Sequence, residues 1–391
     1  MAGTWLLGSG PGDAAEPPRA VLVAVRRGDE TGEGAGTETS LAELRRLADT
    51  DGLAVVGELV QNRDRPDPAT FLGSGRAEEL AGLVAERGAG LVIADGELSP
   101  GQARNLQDAV GVPVVDRTAL ILDIFAEHAS SREGRLQVEL AQIAYQLPRL
   151  RGEGRSLSRV GGGRMAGGAG IGVRGPGEMR LEVQRRRLRQ RASRLRADAA
   201  ELARRRQRVR RRRARNRVPS VAITGYTNAG KSALLNKLTG ATALTEDVLF
   251  ATLDPTVRRT AAAGQEFTLT DTVGFVRNLP HQLVDAFRST LEEVSGSDLV
   301  LHVVDASAPD AAGQITTVHG VLHEIGAGQL PELLVLNKAD VAPPEWVTAL
   351  RRAHPDAIVV SALTGEGIAD LREALGTRLH AMAQAVVAAT G

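Results

Sequence analysis

The 391-residue chain contains no cysteine, and of its 48 basic residues only Lys231, Lys237 and Lys338 are lysine. The first absence excludes disulfides, thiolate zinc sites and thiol catalysis, and it fits the reducing cytoplasm. No apolar run approaches the roughly 18 to 20 residues that a membrane helix needs. Trp5-Leu6-Leu7 has neither the length nor the basic flank of a signal peptide. A soluble chain with no membrane span is expected, and the length suggests two or three domains.

The scarcity of lysine makes each one informative. An ammonium is a compact point charge that fits a tight backbone cradle, where a broad planar guanidinium does not. Two of the three lysines lie in recognisable strings, Gly225-Tyr226-Thr227-Asn228-Ala229-Gly230-Lys231-Ser232 and Asn337-Lys338-Ala339-Asp340. Lys237, six residues past Lys231 on the following helix, reads as a surface residue. The arginines are unevenly spread: a formal net charge of only +1 conceals seventeen of them between 185 and 217, against Asp198 and Glu201. Such a block either binds polyanions or stays solvated.

Residues 1–18, rich in Gly, Ala and Pro, read as a disordered leader. Over 19–116, short apolar runs at Val21–Val25, Leu53–Val60, Leu91–Ala94 and Val112–Val115 alternate with helical stretches near 40–50, 75–87 and 99–109. Ser40 with Glu43 has the form of a capping box for the first helix. This alternation predicts an α/β subdomain with a small parallel sheet. Gly73-Ser74-Gly75 reads as a plain turn.

Over 117–217 the pattern changes to long helices. Leu136, Leu140, Ile143 and Leu147 share one face, while Leu181, Leu188, Leu195, Leu202 and Val209 recur every seventh residue, with Ala192 and Ala199 between them. The two stripes predict a long antiparallel helical hairpin with arginines on its outer faces. Its tip loop, 161–178, is half glycine and includes Gly170-Ile171-Gly172-Val173-Arg174-Gly175. That string matches G-x-G-x-x-G, but no strand precedes it, so a dinucleotide site is not expected. Residues 218–380 read as one doubly wound α/β domain, with 381–391 as a tail.

The phosphate-loop string follows the apolar strand Val221-Ala222-Ile223 and opens a helix, which is the context that motif requires. Backbone N–H groups of 227–232 and the helix N-terminus would cradle phosphates. Lys231 would bridge the terminal phosphates and the Ser232 hydroxyl would coordinate Mg²⁺. Asp271-Thr272-Val273-Gly274 ends a second strand, placing Asp271 just outside the ion's own ligands and the Gly274 N–H at a γ-phosphate. Asn337-Lys338-Ala339-Asp340 ends a third strand. Asp340 can only accept hydrogen bonds, which suits the paired donors of guanine and mismatches adenine. Ser361-Ala362-Leu363 could meet the guanine carbonyl. GTP or GDP is the expected ligand and Mg²⁺ the expected cofactor. His319 and His323, four apart with Glu324 alongside, have a zinc-capable spacing without a visible third ligand, and read as an ordinary helix face.

The chain resembles the HflX family of translation-factor-related GTPases over about residues 20–380. The resemblance rests on Gln61-Asn62-Arg63, Thr70 through Gly75, Leu136 through Gln142, Leu147 through Leu150, Gly172 through Glu178, Phe250 through Thr256 and Leu279 through Phe287. It implies that Phe250, Ala251, Thr252, Leu253 and Asp254 line the nucleotide. It also implies that Thr252 is a switch threonine on Mg²⁺, with Lys231, Thr252 and Gly274 carrying catalysis. The implied partners are the large ribosomal subunit and its RNA, reached through the amino-terminal domain and the hairpin, in splitting, rescue or biogenesis of ribosomes. A monomer off the ribosome is expected.

Gly134-Arg135 and Met179-Arg180 depart from the family pattern near the hairpin. Phe275 stands where Ras-like GTPases place a water-orienting glutamine, so unaided hydrolysis is expected to be slow. A switch acting on a protein partner, and an RNA-binding or ribosome-hibernation module tuned by nucleotide, are the alternative readings.

Overall fold

A computed structural model describes residues 16–26, 36–150, 176–215, 218–240, 249–250, 253, 256–262, 264–277 and 288–390. The Gly170–Gly175 string and most of the leader lie outside the described residues. The chain divides into two compact units, one comprising residues up to 127 with 135–201, the other 128–134 with 202–391.

In the first unit, β1 (Arg19–Arg26), α1 (Thr37–Thr50), β2 (Ala54–Asn62), α2 (Ser74–Arg87), β3 (Leu91–Ala94), α3 (Pro100–Val110) and β4 (Val114–Asp116) alternate in sequence. The strands form a parallel sheet in the order β2-β1-β3-β4. Ala20 through Ala24 are almost completely buried, the continuous apolar pattern of a parallel strand covered on both faces. The expected capping box is not formed at Ser40. Helix α1 starts earlier, at Thr37 with Gly36 as its N-cap, so Ser40 lies inside it. Glu43 is instead buried in an ion pair with Arg117. The capping box that does form is at α3, where Ser99 and Gln102 exchange bonds of 3.2 and 2.9 Å.

Helix α4 (Arg117–His128) follows β4 directly and is buried from Arg117 to Phe125. Arg117, 2% exposed in its side chain, also binds Asp95 at 2.9 Å and Ser40 at 3.1 Å, so its buried charge is matched. Helices α5 (Arg132–Arg149) and α6 (Pro176–Arg215) pack through Ile143, Ala192 and Leu195, flanked by Leu136, Leu140, Leu147 and Leu188. The heptad positions therefore meet the other stripe, and Arg191 adds a forked pair to Glu139 at 2.6 and 2.8 Å.

In the second unit the elements are β5 (Ser220–Gly225), α7 (Lys231–Thr239), β6 (Thr256–Ala262), β7 (Gln265–Asp271), α8 (Arg288–Ser295), β8 (Leu299–Asp305), α9 (Ala311–Glu324), β9 (Glu332–Asn337), α10 (Pro344–Ala353), β10 (Ile358–Val359) and α11 (Ile368–Thr390). The sheet order is β10-β9-β8-β5-β7-β6, parallel except for the antiparallel edge strand β6. Sequence patterning does not reveal β6, because an exposed edge carrying Arg258 and Arg259 shows no apolar alternation. Val221, Ile223, Leu269, Leu301, Val303 and Val335 pack against Leu234, Leu238, Leu371 and Leu375. The carboxyl ends of β5, β7, β8 and β9 lie side by side, and open α/β sheets place ligands outside that edge. No described helix is long and apolar enough to cross a membrane.

Candidate nucleotide site

At the end of β5 the chain turns through Gly225 to Gly230 into α7. Gly225 has φ +151° and Gly230 φ +86°, and a side chain on either would strike the Val303 carbonyl or the Asn337 amide respectively. Only glycine permits both the conformation and the approach. Asn228 also has positive φ, at 60°, a region asparagine tolerates. Of the amides expected to point at phosphate, that of Thr227 is bonded to the Phe275 carbonyl (2.7 Å) and that of Ala229 to Tyr226 (3.2 Å). Phe275 N–H returns a bond to Gly225 O at 3.1 Å, so the loop is fastened to the segment after β7.

Lys231, 6% exposed, curls back to donate to the Tyr226 carbonyl at 2.8 Å. Burial pushes its ammonium down to about 8, partly offset by the Asp271 carboxylate and reinforced by Lys338. Ser232 Oγ donates to Asp271 Oδ2 at 2.6 Å, bringing the first residues of α7 and the end of β7 together. Gly274 packs so closely that a Cβ would lie 2.8 Å from Thr227 Cγ2 and 2.9 Å from Lys231 Nζ. Thr272 Oγ1 is tied to the Ile223 carbonyl at 2.7 Å, which holds this turn on β5. Val273 is buried beside it.

The residues expected to read a base converge as well. Asn337 donates to Ala229 O at 2.8 Å and accepts from Ala362 N–H at 2.9 Å. Ser361 Oγ donates to Asp340 Oδ1 at 2.6 Å, which orients the carboxylate. Leu363 is 78% exposed and Ala339 N–H bonds Val360 O at 3.2 Å. Lys338, at φ +64°, meets Asp305 Oδ2 at 2.7 Å. Sequence reading missed Asp305, although an aspartate closing the apolar strand Leu299–Val304 was the available signal.

Phe250 (φ +60°) and Leu253 are each buried. Ala251, Thr252 and Asp254 lie outside the described residues. Phe275 is completely buried and offers no side-chain hydrogen-bonding atom near Gly274. Lys237 is exposed on α7, and its carbonyl accepts from Arg372 at 2.9 Å.

The Ser232 and Asp271 oxygens are hard ligands of the kind Mg²⁺ takes, and Gly225 and Gly230 of the adjoining loop cannot carry a side chain. Thr227 Oγ1 is buried with no hydrogen-bond partner among the described residues, which leaves a hydroxyl able to donate to a ligand oxygen. The residues present therefore fit a phosphate chain with a hard cation.

Three family models match in sequence order: a GTP-binding GTPase N-terminal region over 38–126, a GTP-binding GTPase middle region over 128–213, and a 50S ribosome-binding GTPase over 220–338. The chain is 50% identical to the GTPase HflX of Caldanaerobacter subterraneus over 84% of its length and 74% of that protein. The corresponding figures are 48%, 93% and 83% for the GTPase HflX of Lacrimispora saccharolytica, and 43%, 87% and 79% for that of Escherichia coli. Motif order, sheet topology and similarity over most of both chains agree, and the chain belongs to the HflX family of GTP-binding GTP hydrolases.

Proposed function

We propose that the chain is a Mg²⁺-dependent GTP hydrolase that binds the large ribosomal subunit as a GTP-controlled switch in the splitting, rescue or biogenesis of ribosomes. The observation that carries this reading is the covalent joining of a unit similar to a 50S ribosome-binding GTPase to α6, where Arg186, Arg187, Arg189, Arg194, Arg196 and Arg204 are all exposed. Neutralising RNA phosphates requires such cations, and counterion release makes the affinity salt-dependent. The hairpin and amino-terminal sheet are the RNA-facing parts in this reading. The protein works in the cytoplasm and is monomeric off the ribosome.

In the nucleotide site, Lys231 gives up its bond to Tyr226 O and spans the terminal phosphates. Ser232 and Thr252 would hold the ion, with Asp271 accepting the Ser232 hydroxyl beside them. A Mg²⁺ ion held by these residues would supply positive charge that neutralises the phosphates. Gly274 presents its N–H to the γ-phosphate, and with Lys231 stabilises charge developing in the transition state. Asp340, fixed by Ser361, accepts the two N–H donors of guanine, while Asn337 sets the distance between that pocket and the phosphate loop. Phe250, Leu253 and the Lys338 stem pack around the nucleotide.

The Phe275 side chain neither donates nor accepts a hydrogen bond, so it cannot orient the attacking water as a glutamine there would. Turnover is therefore slow until ribosomal contact orders the switch segments. Cosedimentation with large subunits should require a non-hydrolysable GTP analogue and weaken with GDP, and added subunits should accelerate GTP turnover. Equal turnover with and without subunits, together with binding indifferent to nucleotide, would sink the proposal.

A further inference from the structure

Away from the nucleotide edge, His302 stands in the middle of β8. Its neighbours Leu301 and Val303 point into the main core, so strand alternation turns His302 to the face covered by α9. There its Nδ1 lies 2.6 Å from Glu332 Oε1, at the start of β9. His319 Nε2, from α9, lies 3.0 Å from both Glu332 oxygens, and the two imidazole rings meet edge to face at 5.4 Å between centroids. One nitrogen from each histidine and a Glu332 oxygen all fall within 4.8 Å of one another. The pair flagged by its helical spacing, His319 and His323, is not the relevant one, because the His323 ring lies against Gly328. The third ligand comes from a strand, which no local spacing could reveal.

The geometry points to a zinc-type divalent metal site held by His302 Nδ1, His319 Nε2 and the Glu332 carboxylate, with the remaining position open to solvent. Two imidazoles and one carboxylate suit Zn²⁺ and related transition ions, whereas Mg²⁺ and Ca²⁺ favour oxygen-only sets. Bonds of about 2.0–2.1 Å in a tetrahedral arrangement place neighbouring ligand atoms roughly 3.3–3.4 Å apart, so the two histidine–glutamate contacts at 2.6 and 3.0 Å need to open only slightly. Two ligands stand on fixed backbone: His302 is paired within the sheet, and Glu332 O accepts from Arg378 at 2.7 Å. The adjustable ligand is His319, whose side chain is 42% exposed, against 30% for Glu332 and 1% for His302. An ion entering from the His319 side would displace protons shared with Glu332 and pin α9 to β8 and β9. Those two strands end in Asp305 and Asn337, so the clip would stiffen the floor of the base pocket.

Equilibrium dialysis of the untagged, nucleotide-free protein against Zn²⁺ in a large excess of Mg²⁺ tests the site. A single retained equivalent is expected, with a raised unfolding temperature and, with Co²⁺ in its place, the intense visible absorption of four-coordinate cobalt. His319→Ala and Glu332→Gln should each weaken Zn²⁺ binding by at least about tenfold, since even the supporting partners of metal ligands are worth that much. His323→Ala should leave it unchanged. GDP affinity at the wild-type level in all three variants shows that the fold persists. Failure to retain Zn²⁺, a weak six-coordinate cobalt spectrum, or wild-type Zn²⁺ affinity in His319→Ala and Glu332→Gln overturns the site and leaves a hydrogen-bonded trio.

Discussion

Asn337, at the end of β9, donates its side-chain amide to the Ala229 carbonyl in the phosphate loop, 108 positions earlier in the chain, at 2.8 Å. The same side chain accepts the Ala362 amide at 2.9 Å, so one buried residue ties together the Gly225–Ser232 loop, the end of β9 and the segment after β10. Replacing Asn337 with alanine removes both bonds and strands a buried carbonyl and a buried amide. Each loss costs on the order of 1–3 kcal/mol. GDP affinity should fall at least about tenfold, and the melting temperature of the nucleotide-free protein should drop by several degrees. Calorimetric titration and thermal unfolding read the two effects separately. Unchanged values of both would show that the tie carries no energy.

Burying the Lys231 ammonium carries a cost. Burial lowers its ammonium from an ordinary 10.5 to about 8, so below pH 8 the folded protein must keep a charge in a place that disfavours it. The unfolded chain binds the proton more tightly, and stability therefore rises as pH increases from about 8 toward 10.5. Lys231→Met should abolish GTP binding yet melt higher than the nucleotide-free wild type at pH 7. That advantage should shrink as pH approaches 10. A variant that melts lower at pH 7 would show that the bond to Tyr226 O outweighs the desolvation.

In the amino-terminal unit, Asp51 at the end of α1 is 1% exposed, and neither of its carboxyl oxygens has a hydrogen-bond partner among the described residues. Burial, reinforced by Asp123 and Glu127, pushes it from 3.8 up to about 8. The folded state holds this proton more tightly than the unfolded chain. Its stabilising effect is complete below pH 3.8 and is lost progressively as pH rises toward 8. Asp51→Asn should therefore raise the melting temperature at pH 8 and flatten the pH dependence between 5 and 8. Every tenfold difference in proton affinity between the folded and unfolded chains corresponds to about 1.4 kcal/mol, which makes the effect measurable by calorimetry. No gain at pH 8 would mean that the carboxylate is compensated.

The charged face of α6 gives a prediction about partners. Changing Arg194, Arg196, Arg204, Arg205 and Arg208 to glutamine keeps helix propensity while removing five exposed cations. Binding to large ribosomal subunits should weaken, and the slope of log affinity against log salt should become shallower by several units. GTP affinity in the absence of ribosomes should stay at the wild-type level. Unaltered cosedimentation at physiological salt would place the RNA contact elsewhere on the molecule.

Much of the candidate nucleotide site could be proposed from the sequence because its chemistry is local. A glycine with positive φ, a lysine at the helix start and an acceptor-only aspartate must each stand at a fixed spacing, so Gly230, Lys231 and Asp340 announce themselves in one dimension. Asp305 did not, because it meets Lys338 only through the packing of neighbouring strands. Edge strand β6 also escaped notice, since its pairing with β7 is made by backbone hydrogen bonds that impose little on side chains. The Ser40 and Glu43 pattern misled for the opposite reason: a buried arginine 74 positions from Glu43 claims that carboxylate more strongly than a helix end does.

The sequence by itself therefore determined the parallel α/β units, the heptad pairing of α5 with α6, the order of nucleotide motifs and the separation of three lysines from a field of arginines. These follow from backbone conformation, hydrophobic period and charge density, which are properties of neighbouring residues. Tertiary structure alone decided that Asn337 would brace the phosphate loop, that Arg117 would gather Glu43 and Asp95, and that His302, His319 and Glu332 would meet. Those relationships depend on which strands lie side by side and which face each turns to a helix, and only the packed sheet settles that.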